Sequence, residues 1–166
     1  MIHIILYHPE IPQNTGNILR TAMATNSKVH IIGPIPFELN DKALKRSGMD
    51  YLKDADYDYY ESYEDFASKF KDKTIYYVTK YGIHLYSENI FENVLDDVYV
   101  MFGRESTGID KEILSKNKDF TLRIPMLSTA RSLNLSNAVA IVTYEILRQQ
   151  KYPNLATFDM IKKYTI

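Results

Sequence analysis

The sequence predicts one α/β domain, spanning residues 1–166, in which helices cover both faces of a parallel sheet. Short apolar runs rich in Ile, Val and Tyr alternate along the chain with segments that have helical periodicity. The apolar runs contain few polar positions, as expected of strands that are buried on both faces. No composition break, internal repeat or low-complexity segment divides the chain, and its 166 residues are enough for one sizeable core.

Each predicted strand is an apolar run that is followed within three residues by a Gly or a Pro. The strands are predicted at residues 2–7, 28–32, 74–79, 98–102 and 120–124. Helices are predicted at residues 16–26, 41–47, 62–70, 110–115 and 134–150. Asn14 or Thr15 is available as the N-cap of the first of these helices. Ligands of such folds bind beyond the carboxyl ends of the strands, so the loops after those ends are the candidate sites.

The charge is unevenly distributed. The net charge is −1, but residues 54–65 contain six acidic residues and no basic one, so this segment carries −6 and the rest of the chain +5. The acidic segment is predicted to be a solvated loop followed by the start of a helix. The positive remainder leaves room for a face that binds nucleic acid.

Composition and absent motifs exclude several kinds of site. The chain has no Cys, which excludes disulfides, a thiolate nucleophile and a cysteine-bound zinc ion. Its six Gly residues form neither G-x-G-x-x-G nor G-x-x-x-x-G-K-[ST], and neither G-x-S-x-G nor H-E-x-x-H occurs, so no metal site is expected. The apolar runs are too short to cross a bilayer and Met1 begins no signal peptide. A cytoplasmic protein with no membrane partner is expected.

Three loop segments carry polar residues in patterns that suit ligand binding. In residues 14–20, Asn17 and Arg20 lie one helical turn apart near a helix start, which suits a hydroxyl beside a phosphate. Residues 101–108 pass Glu105 between two glycines, which allow the backbone to approach a ligand closely. Residues 124–138 crowd Ser and Asn at the entrance to an apolar helix. A capped helix with an exposed Arg, a tight strand-to-helix turn and redundant capping are the respective alternatives.

Together, in this order, these segments resemble the SPOUT class of RNA methyltransferases, and specifically the short tRNA (cytidine/uridine-34 2′-O)-methyltransferases. The motifs are N-x-G-N-x-x-R at 14–20, F-G-x-E-x-x-G at 102–108 and I-P-M followed by S-L-N-x-S-x-A at 124–138. The opening strand and its loop match as well, as do Tyr152 and Pro153, so the resemblance covers nearly the whole chain. Arg104 departs from the pattern, since relatives often carry Pro there, and its side chain is expected to alter the loop or the RNA contact.

The resemblance implies a fold that general rules would reject. It implies a trefoil knot in the C-terminal part of the chain, although true knots are rare. The knotted loops would hold S-adenosylmethionine in a bent shape, mainly through main-chain groups, and release S-adenosylhomocysteine; no metal is implied. The cofactor contacts implied by position are Val78, Thr79, Gly103, Ile124, Met126, Ser132 and Leu133.

The resemblance also implies roles in methyl transfer to a ribose 2′-OH. Arg20 would activate or orient the hydroxyl, with Ser132 and Asn134 as further catalytic residues and Asn17 and Glu105 contacting the substrate, tRNA. A guanidinium pKa above about 12 makes an orienting role less costly than that of a base. The family acts as a homodimer in which this arginine serves the partner's cofactor.

Two other functions are compatible with the motifs. One is 2′-O-methylation of another RNA such as rRNA, and the other is a non-catalytic RNA-binding module of the same fold. The start of the first strand next to Met1, with no added RNA-binding domain, is expected of the tRNA group. The presence of Arg20, Glu105, Ser132 and Asn134 together favours an enzyme over a module.

Overall fold

Seven parallel strands of the described part of the chain form one sheet. The computed structural model describes residues 1–39, 55–88, 90–92, 94 and 96–158. In these ranges the strands are β1 (Ile2–Tyr7), β2 (Lys28–Ile32), β3 (Tyr57–Tyr60), β4 (Ile75–Val78), β5 (His84–Leu85), β6 (Val98–Phe102) and β7 (Thr121–Arg123). Their order across the sheet is β3-β2-β1-β6-β4-β7-β5, and every pair is parallel. The prediction of an α/β fold with a parallel sheet is confirmed.

Four α-helices lie within the described ranges. They are α1 (Pro12–Thr25), α2 (Tyr63–Lys69), α3 (Lys111–Lys116) and α4 (Leu135–Gln149), and a 3₁₀ turn, Lys118–Phe120, precedes β7. The helix predicted at residues 41–47 lies outside the described residues. No described helix has the length and apolar character needed to cross a membrane.

The start of α1 was wrongly predicted. The helix begins four residues earlier than residue 16, with Pro12 in its first turn and Ile11 as its N-cap, so neither Asn14 nor Thr15 caps it. Pro suits a first helical turn, because the N–H that it lacks would have no partner within the helix. Asn14 therefore belongs to the helix itself, and the residue is buried, with 5% of its surface exposed.

The two faces of the sheet have separate cores. On one face Ile4 and Leu6 of β1 pack with Ile18 of α1 and Val139 of α4. On the other face Ile5 and its neighbours pack with apolar side chains of α2 and α3. Successive side chains of a strand point to opposite faces of the sheet. Because all six residues of β1 are buried, helices must pack on both faces.

The two strands absent from the prediction lie at the edges of the sheet. β3 pairs only with β2 among the described strands, and it belongs to the acidic segment that was predicted as a loop. That prediction is wrong for residues 57–60, although the helix start is present, with Ser62 as the N-cap of α2. β5 has two residues. Edge strands tolerate charged residues and short lengths, which removes the pattern by which a buried strand is identified.

The trefoil knot stays a prediction. The segment that the resemblance assigns to it runs from the end of β4 to α4. Within this segment β5 pairs with β7, and the backbone N–H of Thr79 donates to the carbonyl oxygen of Leu122 at 2.9 Å. These contacts bring the loop after β4 directly against β7, next to the site described below.

Candidate functional site

A cavity of about 1000 Å³ opens at the carboxyl ends of β4, β6 and β7. Its walls are the loops that follow these strands and the segment that enters α4. All seven residues predicted as cofactor contacts line it, namely Val78, Thr79, Gly103, Ile124, Met126, Ser132 and Leu133. Glu105 and Asn134 line it as well. Its place agrees with the general position of ligand sites in open α/β sheets.

Gly103 allows two parts of the cavity wall to meet. A Cβ atom at this residue would lie 2.3 Å from the carbonyl carbon of Gly108 and 2.4 Å from the backbone nitrogen of Ile109. The loop closes on itself here, since the N–H of Gly108 donates to the carbonyl oxygen of Arg104 at 2.9 Å. A larger residue at 103 would therefore open the loop that carries Glu105.

Glu105 fastens the start of α1 to the cavity wall. Its carboxylate accepts hydrogen bonds from the backbone N–H groups of Glu10, at 2.8 Å, and Ile11, at 3.2 Å. It also accepts one from the side-chain amide of Asn14, at 2.8 Å. α1 has no acidic residue in its own first turn, so Glu105 supplies the negative charge that favours a helix N-terminus. Both carboxylate oxygens are used by the chain itself.

Asn134 makes two kinds of contact at once. Its Oδ1 accepts from the N–H groups of Ser136, at 2.9 Å, and Asn137, at 3.3 Å, and so caps α4. Its Nδ2 donates to Oδ1 of Asn14 at 2.9 Å. We call Glu105, Asn14 and Asn134 the bridging network. It joins the three segments that the sequence predicts as candidate sites. Asn134 therefore does more than cap α4.

A second carboxylate reinforces this junction. Glu10 accepts hydrogen bonds from the N–H of Ser106, at 2.8 Å, and from its hydroxyl, at 2.7 Å. The Ser106 hydroxyl lowers the pKa of Glu10 below the ordinary glutamate value. Glu10 thus binds the loop that contains Glu105, and Glu105 binds the backbone N–H of Glu10. The sequence analysis named neither Glu10 nor Asn14 as a site residue.

Arg104 belongs to a compact ion pair at the rim. Its guanidinium donates to Asp110 at 2.8 Å and lies over the ring of Tyr7, with 5.1 Å to the centroid. The Tyr7 hydroxyl donates to the other oxygen of Asp110. Burial, followed by this bond to Asp110, raises the pKa of Tyr7 to about 12. The residue that departs from the family pattern is therefore anchored to Asp110 and Tyr7.

Asn17 and Arg20 do not line the cavity. Both are exposed on the outer face of α1, one turn apart, while Ile18 and Leu19 between them are buried. The structure thus places these two predicted residues apart from Ser132 and Asn134 within a single copy of the chain. α4, which packs beside α1, exposes Ile141 and Tyr144.

The cavity suits a ligand of the size of S-adenosylmethionine that has polar and apolar parts. Residues 124–127 and 130–134 have no regular secondary structure, so their backbone groups can bind a ligand. Ile124, Met126 and Leu133 supply apolar surface in the same wall, and the volume is that of a pocket for a drug-sized molecule. Among the described residues no group of three or more His, Cys, Asp or Glu could hold a metal ion.

Known proteins resemble this chain over most of its length. The model of the SpoU rRNA Methylase family matches residues 1–144. A Geobacillus stearothermophilus protein, named as a candidate tRNA (cytidine(34)-2′-O)-methyltransferase, is 44% identical over 155 residues, covering 93% of this chain and 99% of its own. The tRNA (cytidine(34)-2′-O)-methyltransferase of Escherichia coli strain K12 is 38% identical over 160 residues, covering 96% of this chain and 100% of its own.

One solved structure extends this resemblance to three dimensions. It is described as giving structural insights into the 2-OH methylation of C/U34 on tRNA. It is 37% identical in sequence, with a TM-score of 0.81, and the match covers 91% of this chain and 97% of that one. The similarity therefore extends to the overall fold.

Proposed function

The chain belongs to the SpoU rRNA Methylase family, and we propose that it methylates the ribose 2′-OH of nucleotide 34, the wobble position of tRNA, with S-adenosylmethionine as methyl donor. The observation that carries the proposal is the convergence of all three predicted segments on one cavity, through the bridging network. The position on the RNA is inferred from the relatives, which match over nearly their whole length and whose names specify cytidine 34 of tRNA.

The seven cavity residues predicted as contacts would hold the cofactor, mainly through their backbone groups. When bound, S-adenosylmethionine would supply an electrophilic methyl group: the C–S bond breaks as the bond to the 2′ oxygen forms, S-adenosylhomocysteine is left, and the hydroxyl proton passes to water. Ser132, Leu133 and Asn134 lie at the entrance of α4, where Asn134 fixes the end of the loop by capping the helix. A fixed loop limits the positions that donor and acceptor can take, which lowers the barrier of an in-line displacement.

Arg20 orients the 2′-OH and contacts the adjacent phosphate. A guanidinium donates planar pairs of hydrogen bonds to phosphate and stays charged at neutral pH. Asn17, one turn before it on the same exposed face, contributes an amide for the ribose. Glu105 acts on the substrate through α1, because its carboxylate holds the start of the helix that carries Asn17 and Arg20.

The active form is a homodimer in which α1 of one subunit completes the cavity of the other. Arg20 is exposed and lies outside the cavity of its own chain, which supports this arrangement. The exposed Ile141 and Tyr144 on the neighbouring helix supply apolar surface for such an interface.

Complementation of two inactive variants tests the shared site. Arg20→Ala removes the orienting group, and Leu133→Arg places a charge in the cofactor cavity. Co-expressed variants form hybrid dimers with one intact site, and activity returns to at most about a quarter of the wild-type value. Two variants that stay inactive when mixed would contradict the shared site, provided that hybrid dimers are isolated by two affinity tags.

We infer further that one domain, residues 1–166, carries this activity, and that the protein works in the cytoplasm, where tRNA is modified. The location follows from the substrate. The single domain follows from the one sheet whose strand ends position the whole cavity. The charge of the chain outside residues 54–65, which is +5 in total, suits an RNA partner.

Labelled methyl transfer to total tRNA, followed by mapping of the modified nucleoside, tests the proposal. The expected product is a 2′-O-methylated nucleotide 34. Methylation of a base, of another loop, or of rRNA in place of tRNA would contradict it. Calorimetric titration with S-adenosylmethionine separates an enzyme from an RNA-binding module, since a module of the same fold need not bind the cofactor.

A further inference from the structure

An exposed tyrosine stands at the mouth of the cavity. Tyr81 follows β4, lines the cavity and is 64% exposed. An aromatic ring of this size left in water adds nothing to the folded core. Leu127, which is 80% exposed, lines the same cavity, so apolar surface is exposed at more than one place beside the ligand site, as at interaction sites.

The loop that carries Tyr81 is firmly held. The N–H groups of Tyr81 and Gly82 donate to the side-chain and backbone oxygens of Thr79 at 3.3 and 3.2 Å. The Arg123 guanidinium donates to the carbonyl oxygen of Lys80. A Cβ atom at Gly82 would lie 2.3 Å from the carbonyl carbon of Leu122, so the loop sits directly on β7. The ring is therefore presented on a preorganised backbone, which reduces the entropic cost of binding.

The surroundings of the ring are positively charged. Lys80 places its ammonium 5.1 Å from the centroid of the Tyr81 ring. Arg123 and Arg131 line the same cavity. Glu105, the acidic residue among the cavity lining, has its carboxylate bound to the start of α1. A ring with a cation over one face can stack a nucleotide base on the other, while the phosphate contacts the neighbouring cations.

We propose that Tyr81 is a stacking platform for an unpaired base that neighbours the methylated nucleotide, with Lys80 and Arg123 at the adjoining phosphates. The inference rests on the proposed function, because it takes the RNA loop around nucleotide 34 as the ligand. Bases in single-stranded loops can be splayed out and stacked on aromatic side chains, whereas bases in a duplex cannot. The platform thus selects an open loop and holds it beside the cavity.

Three variants test the platform. Tyr81→Ala removes the ring, Tyr81→Phe keeps its stacking face, and Ile83→Ala is a matched control in the same loop. Ile83 is 50% exposed and does not line the cavity. The RNA is an anticodon stem-loop with 2-aminopurine on one or the other side of nucleotide 34. Stacking quenches the fluorescence of 2-aminopurine.

Tyr81→Ala is expected to raise KM for the stem-loop about tenfold, with kcat within a few-fold of wild type. Tyr81→Phe and Ile83→Ala are expected to behave like wild type, and S-adenosylmethionine affinity to be equal in all four proteins. Wild type is expected to quench 2-aminopurine at one flanking position, and Tyr81→Ala to lose that quenching.

Two outcomes would overturn the platform. One is an unchanged KM and unchanged quenching in Tyr81→Ala. The other is a loss of S-adenosylmethionine affinity with RNA binding intact, which would assign the ring to the cofactor. If wild type methylates no tRNA, the proposed function fails, and the binding and quenching measurements still decide whether Tyr81 stacks on RNA.

Discussion

Two groups of polar residues in this protein are built in opposite ways. In the histidine cluster, His3, His30 and Tyr60 are 8%, 1% and 4% exposed and bond to one another: the rings of the two histidines are joined at 2.8 Å, and His30 contacts the Tyr60 hydroxyl at 3.0 Å. In the bridging network, by contrast, Glu105, Asn14 and Asn134 form part of the wall of an open cavity.

The two groups also connect different parts of the chain. The histidine cluster joins neighbouring strands that are already paired in the sheet. The bridging network joins a helix start, a strand-to-helix loop and a second helix start, none of which is fixed by strand pairing. The histidine cluster therefore supports the fold, whereas the bridging network, in which Asn14 is buried and Asn134 is exposed, fixes the geometry of the site. Substitutions should accordingly separate stability from activity.

Arg20→Ala should have the largest effect on activity. Loss of a group that acts in the transition state is expected to lower kcat about a hundredfold to a thousandfold. The thermal midpoint should hardly change, because Arg20 is exposed. Single-turnover methyl transfer and a thermal melt measure the two effects, with Arg148→Ala, an exposed arginine of α4, as the control. Near-wild-type turnover in Arg20→Ala or Arg20→Lys would remove Arg20 from the mechanism.

His30 should control stability in acid and leave the site alone. Burial, followed by the neighbouring His3, lowers the pKa of His30 from 6.5 to about 4. Between these values the unfolded chain binds the proton and the folded chain does not, so folding loses stability as the pH falls. The free energy of unfolding should drop by about 3 kcal/mol from pH 6.5 to pH 4 and be steady for this group above pH 7.

Urea unfolding at several pH values measures this loss. His30→Gln, which does not titrate, should have a shallower pH dependence, while its affinity for S-adenosylmethionine at pH 7 equals that of wild type. An equally steep dependence in His30→Gln would assign the acid sensitivity to other groups.

The sequence alone predicts the central strands but not the edge strands or the start of α1. The five central strands are evident because most of their residues are apolar or buried on both faces, although β2 and β7 contain Lys28 and Arg123. β3 carries Asp58 at the edge of the sheet, and β5 has two residues, so neither has the pattern of a buried strand. The start of α1 was misplaced because Pro12 was interpreted as part of a loop, although a first helical turn tolerates it.

The site was predicted in its parts and missed in its connections. The resemblance named the cavity residues and Arg20, since these lie within recognisable motifs. Asn14 opens the first motif and is a predicted N-cap candidate, but its bonds to Glu105 and Asn134 span 91 and 120 residues of sequence. Such long-range pairs depend on the folded arrangement of loops, which no local pattern encodes.

Asn134→Asp should separate capping from bridging. An aspartate keeps the oxygen that caps α4 but has no N–H for Asn14, so it meets the Asn14 oxygen with a negative charge. The thermal midpoint should stay close to wild type, and methyl transfer should fall about tenfold. Full activity in this variant would show that capping is the whole role of Asn134. Asn134→Ala, which loses both contacts, should in addition be less stable by about 1 kcal/mol.

Charge reversal in the acidic segment should have the smallest effect. Glu61→Lys combined with Glu64→Lys leaves the Lys28 pairs with Asp56 and Asp58 intact. The acidic segment is expected to face away from tRNA, so affinity should change less than about twofold in moderate salt. Filter binding measures it. A large gain in affinity would place this edge of the sheet close to the RNA.

The central claim, methyl transfer to the 2′ oxygen of nucleotide 34, is tested most directly by removing that oxygen. A tRNA with a single 2′-deoxynucleotide at position 34 is compared with the unmodified tRNA in methyl-transfer and binding assays. The deoxy tRNA is expected to bind with similar affinity and to accept no methyl group. Methylation of the deoxy tRNA at the wild-type rate would contradict the central claim, because another atom would then be the nucleophile.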